Sequence, residues 1–273
     1  MKKLKLAILD LYDGEPNMGM GAIKDIVRRY EKDFDWEVFD VRGKAEVPDL
    51  SFDMFISSGG PGSPLEGNGV WEVNFYKWMD AVWNWNTRPG NYPKKYVFFI
   101  CHSFQMACVH FKLAEVNKRK SHSFGTFPAF KTSAGMVDPF FQPLSDPFYV
   151  ADFRGFQVVQ PSHERFKQLG ASILLREKIR PHIELERAIM AIRFSKEIFG
   201  TQFHPEAYPE GMMKKFTIPE KKASIIKEHG EDKYNQMMFD LENPDKILLT
   251  YQTILPSFLE NAIQVLKPTH VSL

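Results

Sequence analysis

The chain has 273 residues, 44% of them hydrophobic and 25% charged, which is the composition of a globular protein near the upper size limit of one domain. Its formal net charge of +1 gives no basis for nucleic acid or an anionic membrane as a partner. The two cysteines, Cys101 and Cys108, lie on one helical pattern and do not suggest a disulfide framework, and no apolar run has the length of a membrane span. These features predict a cytoplasmic protein.

The first part of the chain alternates between apolar strand patterns and amphipathic helical patterns. Strands are predicted at 4–11, 36–41, 53–57 and 96–100, and helices at 18–31, 69–85 and 103–114. This alternation is typical of an α/β fold with a doubly wound, mostly parallel sheet and helices on both faces. Ligands of such sheets bind beyond the carboxyl ends of the strands.

The second part changes to short strands and then to helices. Short strands are predicted around 122–131, 155–160, 171–176, 187–194 and 198–203, as an antiparallel appendage to the parallel sheet. Helical patterns follow at 209–228, interrupted near Pro219, at 231–242 and at 246–267, where Pro256 should kink the last helix. We therefore predict a main domain at 1–206 and a helical C-terminal extension at 207–273 packed on it.

The segment from Tyr96 to Cys108 joins an apolar strand to a helix, with Cys101 at the junction. A strand–turn–helix elbow places such a side chain at the carboxyl end of the strand, beside the free N–H groups of the first helical turn. The helix dipole there favours an ionised thiol. The alternative is an ordinary core cysteine, because free cysteines are among the most buried residues. Cys108 lacks these features and is predicted to be inert.

Two further segments complete a possible catalytic set. His204 and Glu206 are two residues apart on a predicted strand end, so their side chains point to the same side, and the carboxylate can fix the tautomer of the ring. The loop at 57–64 is rich in glycine and offers backbone N–H donors. The alternatives are a surface turn at 204–206, and a simple turn or a phosphate cradle at 57–64. Thiol, base, carboxylate and donors together are the parts of a thiol hydrolase.

In this order and with these intervals, the G-G-P-G loop, the Cys101 elbow and the late His204-Pro205-Glu206 resemble the motifs of the class I, triad-type glutamine amidotransferase family. The chain resembles a stand-alone GMP-synthase-like glutamine amidotransferase domain over about residues 4–206. The resemblance implies a flavodoxin-like fold and no cofactor. It implies that Cys101 attacks the side-chain amide of glutamine, that His204 moves protons and that Glu206 orients the histidine.

The resemblance also assigns the supporting residues. The backbone N–H groups of Gly60 and His102 would form the oxyanion hole, and Gly62, Gln105 and Ser162 would bind the substrate. For Gln105 the alternative is a solvated side chain in the first helical turn. We expect the side chains of His102 and His163 to be structural or to line the substrate site. The alternation at 182–186 is interpreted as a solvated edge strand, and no metal is predicted.

The sequence departs from the family pattern at the elbow. Glycine is usual two residues before and two residues after the cysteine, where this chain has Phe99 and Ser103. Crowding by Phe99 would alter the site, which favours a γ-glutamyl compound other than glutamine as substrate.

Three functions therefore stay open. The first is a glutaminase that feeds a synthetase, which accepts the ammonia and is a separate subunit. The second is a γ-glutamyl peptidase or amidase that acts alone. The third is a non-catalytic relative that binds a ligand.

Overall fold

The computed structural model describes residues 2–67, 69–179, 184 and 186–267, and within them one mixed sheet forms the centre of the molecule. The strands are β1 (Leu4–Asp10), β2 (Phe34–Asp40), β3 (Met54–Ser57), β4 (Tyr96–Ile100), β5 (Glu115–Lys131), β6 (Phe148–Val159), β7 (Ser172–Glu177), β8 (Ile189–Arg193) and β9 (Ile198–Thr201). They lie in the order β2-β1-β3-β4-β9-β8-β7-β5-β6.

The sheet has a parallel half and an antiparallel half. β1 pairs in parallel with β2 and β3, β3 with β4, and β4 with β9. The pairings of β9 with β8, β8 with β7, β7 with β5 and β5 with β6 are antiparallel. The predicted mostly parallel sheet with an antiparallel appendage is therefore confirmed. Because β4 and β9 are parallel neighbours, the residues that follow them meet at one edge of the sheet.

Helices cover both faces of the sheet. They are α1 (Gly19–Arg28), α2 (Trp71–Thr87), α3 (His102–His110), α4 (Ser133–Val137), α5 (His163–Leu169), α6 (Pro209–Phe216), α7 (Pro219–His229), α8 (Glu231–Glu242) and α9 (Leu249–Leu266), with a π-helical turn at Pro244–Leu248. α9 continues through Pro256. Within the described part of the chain, no helix has both the length and the apolar composition needed to cross a membrane.

Some elements differ from their predicted bounds. β5 and β6 begin earlier than the sequence pattern indicates, and α4 and α5 were not predicted. α5 nevertheless carries local signals, because Ser162 caps its first turn and Gly170 ends it with a φ of 67°. Of the edge strand predicted at 182–186, residues 182, 183 and 185 lie outside the described residues.

Each face of the sheet buries its own apolar cluster. On one face Ile8, Ile56 and Phe98 pack with residues of α1 and α9. On the other face Phe55 and Phe99 pack with α2 and α3. Strands buried on both faces are nearly continuous apolar runs, which is why β1, β3 and β4 are evident in the sequence.

The C-terminal helices contribute to these cores. In α9, the ring of Phe258 lies 5.3 Å from that of Phe98 and 6.4 Å from that of Tyr96, between ring centroids. Phe216 of α6 and Met237 of α8 belong to a third buried cluster that includes Ala151 of β6. The division of the chain at residue 206 stays a prediction.

Candidate active site

The turn between β4 and α3 holds Cys101 in an unusual backbone conformation. Its φ is 48° and its ψ is −95°, a region that residues with a side chain rarely adopt and that costs about 1–3 kcal/mol. The Cys101 N–H donates to the carbonyl of Thr201 at 2.8 Å, and the Cys101 carbonyl accepts from the N–H of Gln105 at 3.0 Å. β9 and the first turn of α3 therefore fix the predicted elbow in place.

Ser103 fits the elbow because its side chain is used inside it. Its buried hydroxyl oxygen accepts from the N–H of Ile100 at 3.0 Å and lies 2.9 Å from the carbonyl of Ser57, to which it donates. Ser103 thus ties the start of α3 to the ends of β4 and β3. Glycine could not provide these hydrogen bonds.

Phe99 points into the core beneath the elbow and does not line the cavity at Cys101. Its ring lies 6.2 Å from Trp78 and 5.9 Å from Phe194, between centroids. Its strand partner is Gly200, where an added Cβ would lie 3.2 Å from Cβ of Phe99. The absent side chain at Gly200 gives Phe99 its room, so the predicted crowding of the site by Phe99 is wrong.

His204 and Glu206 follow β9 and form a hydrogen-bonded pair. Nδ1 of His204 lies 2.8 Å from Oε1 of Glu206, and Glu206 is only 1% exposed. The backbone N–H of His204 donates to the carbonyl of Ala151 at 2.9 Å. The other Glu206 oxygen, Oε2, is buried and has no hydrogen-bond partner among the described residues. Within the described part of the chain, the carboxylate therefore forms its hydrogen bond with the histidine alone.

The same histidine ring interacts with Cys101. Burial alone would lower the pKa of His204, but the charges and hydrogen bonds of Glu206 and Cys101 raise that pKa well above 6.5. A Cβ added at Gly59 would lie 2.9 Å from Cε1 of His204 and 3.7 Å from Cβ of Cys101, so both side chains border this glycine. The imidazolium is thus favoured beside the thiol.

A chain of two amides also reaches the sulfur. Nε2 of Gln202 lies 3.7 Å from Sγ of Cys101. Nε2 of Gln105 donates to Oε1 of Gln202 at 3.1 Å and lies 3.3 Å from the carbonyl of Phe156. Gln105 is 3% exposed, and it is neither solvated nor part of the cavity lining. In this structure it positions Gln202, and a direct contact of Gln105 with substrate stays a prediction.

The glycine loop after β3 lies beside the thiol. Gly60 lines the cavity at Cys101, and a Cβ added there would lie 2.5 Å from the carbonyl oxygen of Leu11, so only glycine fits. Gly62 has a φ of 81° and does not line this cavity. An oxyanion hole formed by the N–H groups of Gly60 and His102 stays a prediction.

The side chain of His102 faces away from the thiol. It is 2% exposed and borders a separate pocket of about 200 Å³ beneath the glycine loop, with its ring 6.5 Å from that of Trp71. Burial, and then the charge of Arg42, lower the pKa of His102 to about 3. With so low a pKa, the ring binds a proton too weakly to act as the base.

Three other residues considered from the sequence do not reach the cavity. Ser162 caps α5, accepting from the N–H of Arg165 at 3.3 Å, and the Ser162 N–H donates to the carbonyl of Leu113 at 2.8 Å. His163 is exposed at the start of α5. Cys108 is fully buried, and burial raises the pKa of its thiol well above the usual value.

Besides Gln202, the sequence reasoning missed Tyr12 and Phe153. Tyr12 lines the cavity two residues after β1, and burial and the charges of Glu206 and Cys101 raise its pKa well above 10, so the phenol keeps its proton. Its place just beyond the carboxyl end of a strand was the available signal. The carbonyl of Phe153 lies 3.9 Å from Sγ of Cys101, in the part of β6 that the sequence pattern did not reveal.

Comparisons with known proteins show the family and the fold. The family model described as glutamine amidotransferase class-I matches residues 17–218. No match was found among curated proteins. A glutamine amidotransferase from Thermotoga maritima superposes with a TM-score of 0.70 at 17% identity, covering 97% of this chain and 100% of that one.

Two further solved structures are similar over a smaller share of the chain. A putative GMP synthase subunit from Thermoplasma acidophilum has a TM-score of 0.55 at 17% identity, covering 76% of this chain and 86% of its own. The glutaminase domain of Trypanosoma brucei CTPS with bound acivicin has a TM-score of 0.55 at 13% identity, covering 75% and 86%. These likenesses confirm the predicted fold. With the family model matching most of its length, the chain belongs to the class I glutamine amidotransferase family.

Proposed function

We propose that this protein is a thiol hydrolase that cleaves the γ-amide of glutamine or of another γ-glutamyl compound. The observation that carries the proposal is the placement of Cys101 on a strained elbow beside His204, whose ring is held at 2.8 Å by Glu206. The raised pKa of His204 favours the imidazolium form beside Cys101, whose sulfur is the nucleophile in this proposal.

The reaction follows from these roles. The thiolate attacks the γ-carbonyl carbon, and the resulting oxyanion accepts hydrogen bonds from the N–H groups of Gly60 and His102. The carbon–nitrogen bond breaks as His204 protonates the leaving nitrogen, which leaves a γ-glutamyl thioester on Cys101. Water, deprotonated by His204, then attacks the thioester and releases glutamate and the free thiol. The protein needs no cofactor for these steps, and the reduced thiol suits a cytoplasmic location.

A glutamine-like diazoketone followed by peptide mass mapping tests the nucleophile. We expect labelling at Cys101 and none at Cys108, because Cys108 is fully buried and burial raises the pKa of its thiol. Cys108 is the internal control within the same sample. Equal labelling of both cysteines, or an unreactive Cys101, would overturn the assignment and favour a protein that only binds a ligand.

The fate of the released nitrogen separates two versions of the activity. The Thermoplasma acidophilum relative is described as a putative subunit of GMP synthase. A glutaminase that feeds a separate synthetase should hydrolyse glutamine very slowly on its own, since uncoupled hydrolysis wastes glutamine. A hydrolase that acts alone needs no partner. Hydrolysis of glutamine and a set of γ-glutamyl amides by the isolated protein, with Cys101→Ala as the blank, distinguishes them.

A further inference from the structure

The cavity at Cys101 is much larger than the release of ammonia requires. Its volume is about 850 Å³, and its lining extends beyond Cys101 and His204 to residues of α1, α6, α7 and α9. Ammonia is about the size of water, whose share of liquid volume is about 30 Å³. A volume of about 300–1,000 Å³ is typical of sites that bind whole small molecules. The outer part of the cavity therefore has room for a substantial leaving group.

Small residues on α1 leave this part open. Gly19, Gly21 and Ala22 line the cavity. No atom lies within 4 Å of the position that a Cβ of Gly21 would take, so a side chain there would extend into free space. The open side of α1 thus bounds the outer cavity without filling it.

An aromatic wall of three phenylalanine rings lines the cavity next to the histidine. Phe124, Phe153 and Phe216 pack together, with ring centroids 5.0 Å apart for Phe124 and Phe153 and 5.9 Å apart for Phe124 and Phe216. The ring of Phe153 also lies 6.1 Å from that of His204. An apolar group attached to the leaving nitrogen would be buried against this wall.

The outer lining also carries cations. Arg29 donates a hydrogen bond to the hydroxyl of Tyr251 and lies 4.9 Å above its ring, which holds the guanidinium in place. Lys215 and Lys221 line the same cavity, and their side-chain amines form no hydrogen bond or ion pair among the described residues.

The carboxylates of the outer lining are fewer and less available. Asp25 already accepts from Arg28 at 2.6 Å, which leaves Glu15 as the other outer carboxylate. Because cationic side chains outnumber carboxylates at the outer lining, the charge there favours a ligand that carries a carboxylate.

We propose that the outer cavity binds the amine portion of the substrate, and that this portion is an amino acid with an apolar side chain and a free carboxylate. The substrate class is then the γ-glutamyl dipeptide, and the inference rests on the thiol hydrolase activity proposed above. The Cys101 thiolate attacks the γ-carbonyl carbon and forms the thioester bond, the bond from that carbon to the amino acid nitrogen breaks, and His204 supplies the proton to that nitrogen. Water then hydrolyses the thioester to glutamate and the free thiol.

The carboxylate is tested by comparing γ-glutamylphenylalanine with its C-terminal amide, which differs only in charge at that end. We expect kcat/KM to be roughly tenfold higher for the acid, because a hydrogen bond to a charged group is lost in the amide. The triple variant Arg29→Met, Lys215→Met, Lys221→Met removes the three cations of the outer lining and should bring the ratio close to one. Lys214→Met, on the exposed side of α6, should keep the ratio of the natural protein.

A second variant tests the volume of the outer cavity instead of the charge of its lining. Gly21→Leu places a side chain in the outer cavity and should lower kcat/KM for γ-glutamylphenylalanine far more than kcat/KM for glutamine. Circular dichroism and thermal melting establish that each variant is folded. An unchanged acid-to-amide ratio in the triple variant, or equal effects of Gly21→Leu on both substrates, would overturn the proposal.

A binding measurement separates this proposal from the proposed activity. Calorimetry with Cys101→Ala should give tighter binding of γ-glutamylphenylalanine than of its amide, whether or not the natural protein turns either over. If glutamine is hydrolysed at Cys101 but neither dipeptide binds, the outer site is wrong and the hydrolase stands. If Cys101 is unreactive while the acid binds preferentially, the hydrolase is wrong and the outer site stands.

Discussion

Replacing Glu206 by Gln isolates the effect of its charge on His204. The substitution keeps the shape of a side chain that is 1% exposed, and it removes the charge that faces Nδ1 of His204 at 2.8 Å. Because His204 is itself mostly buried, with a side chain 14% exposed, solvent screens the pair only weakly. We expect a folded protein in which the imidazolium form of His204 is less stable.

The size of the effect follows from the contact. A hydrogen bond to a charged group contributes about 1.5–3 kcal/mol, and one pKa unit corresponds to about 1.36 kcal/mol. The pKa of His204, which Glu206 helps to raise, should therefore fall in Glu206→Gln. Turnover should fall by roughly 10- to 100-fold, since each 1.36 kcal/mol lost at the transition state is a factor of ten. His204→Ala should cost more, because it removes the group that moves the protons.

The sign of the effect on stability is also defined. The folded-state pKa of His204 is raised, so the pair stabilises the protein fully below the unfolded value of about 6.5 and loses this contribution as pH rises through the folded-state pKa. The difference in unfolding free energy between the natural protein and Glu206→Gln should accordingly shrink as pH rises.

Nuclear magnetic resonance of the histidine ring protons as a function of pH measures the shift directly, with His204→Ala to assign the signal. The signal of His102 is an internal control, because that ring stays neutral with a pKa of about 3. An unchanged or higher midpoint for His204 in Glu206→Gln would refute the reasoning. Loss of turnover in Glu206→Gln but not in His204→Ala would show that the roles are wrongly assigned.

Two further substitutions test the packing that holds the site. Gly200→Ala would place a Cβ 2.7 Å from Cδ2 of Phe104 and 3.2 Å from Cβ of Phe99, and it should destabilise the protein by about 1–3 kcal/mol in urea unfolding. An unchanged midpoint would mean that the elbow core is loosely packed. Phe258→Ala should lower the free energy of unfolding by about 3–5 kcal/mol, because it removes the ring through which α9 packs on β4. The control Val265→Ala lies at a 51% exposed position of the same helix and should change the free energy of unfolding by no more than about 0.5 kcal/mol. Similar small losses for both would contradict the docking of α9.

The sequence alone determined the parallel half of the fold and the position of the elbow. β1, β3 and β4 are short apolar runs because they are buried on both faces, and their periodicity is visible without any distant contact. Cys101 and the His204–Glu206 pair follow strand ends, so topology alone brings them to one edge of the sheet. Their pairing in the structure follows from the parallel contact of β4 with β9.

The tertiary structure decided which way the neighbouring side chains point. Phe99 faces the core because Gly200, about a hundred residues later, leaves room for its ring. The side chain of Gln105 is likewise held by a distant partner, since it donates a hydrogen bond to Gln202. Local periodicity contains no information on such partners, since each depends on how distant strands align. The same reason applies to the cavity. Its outer wall comes from α1, α6, α7 and α9, and only their packing against the sheet brings Arg29 and Lys215 to the side of the thiol.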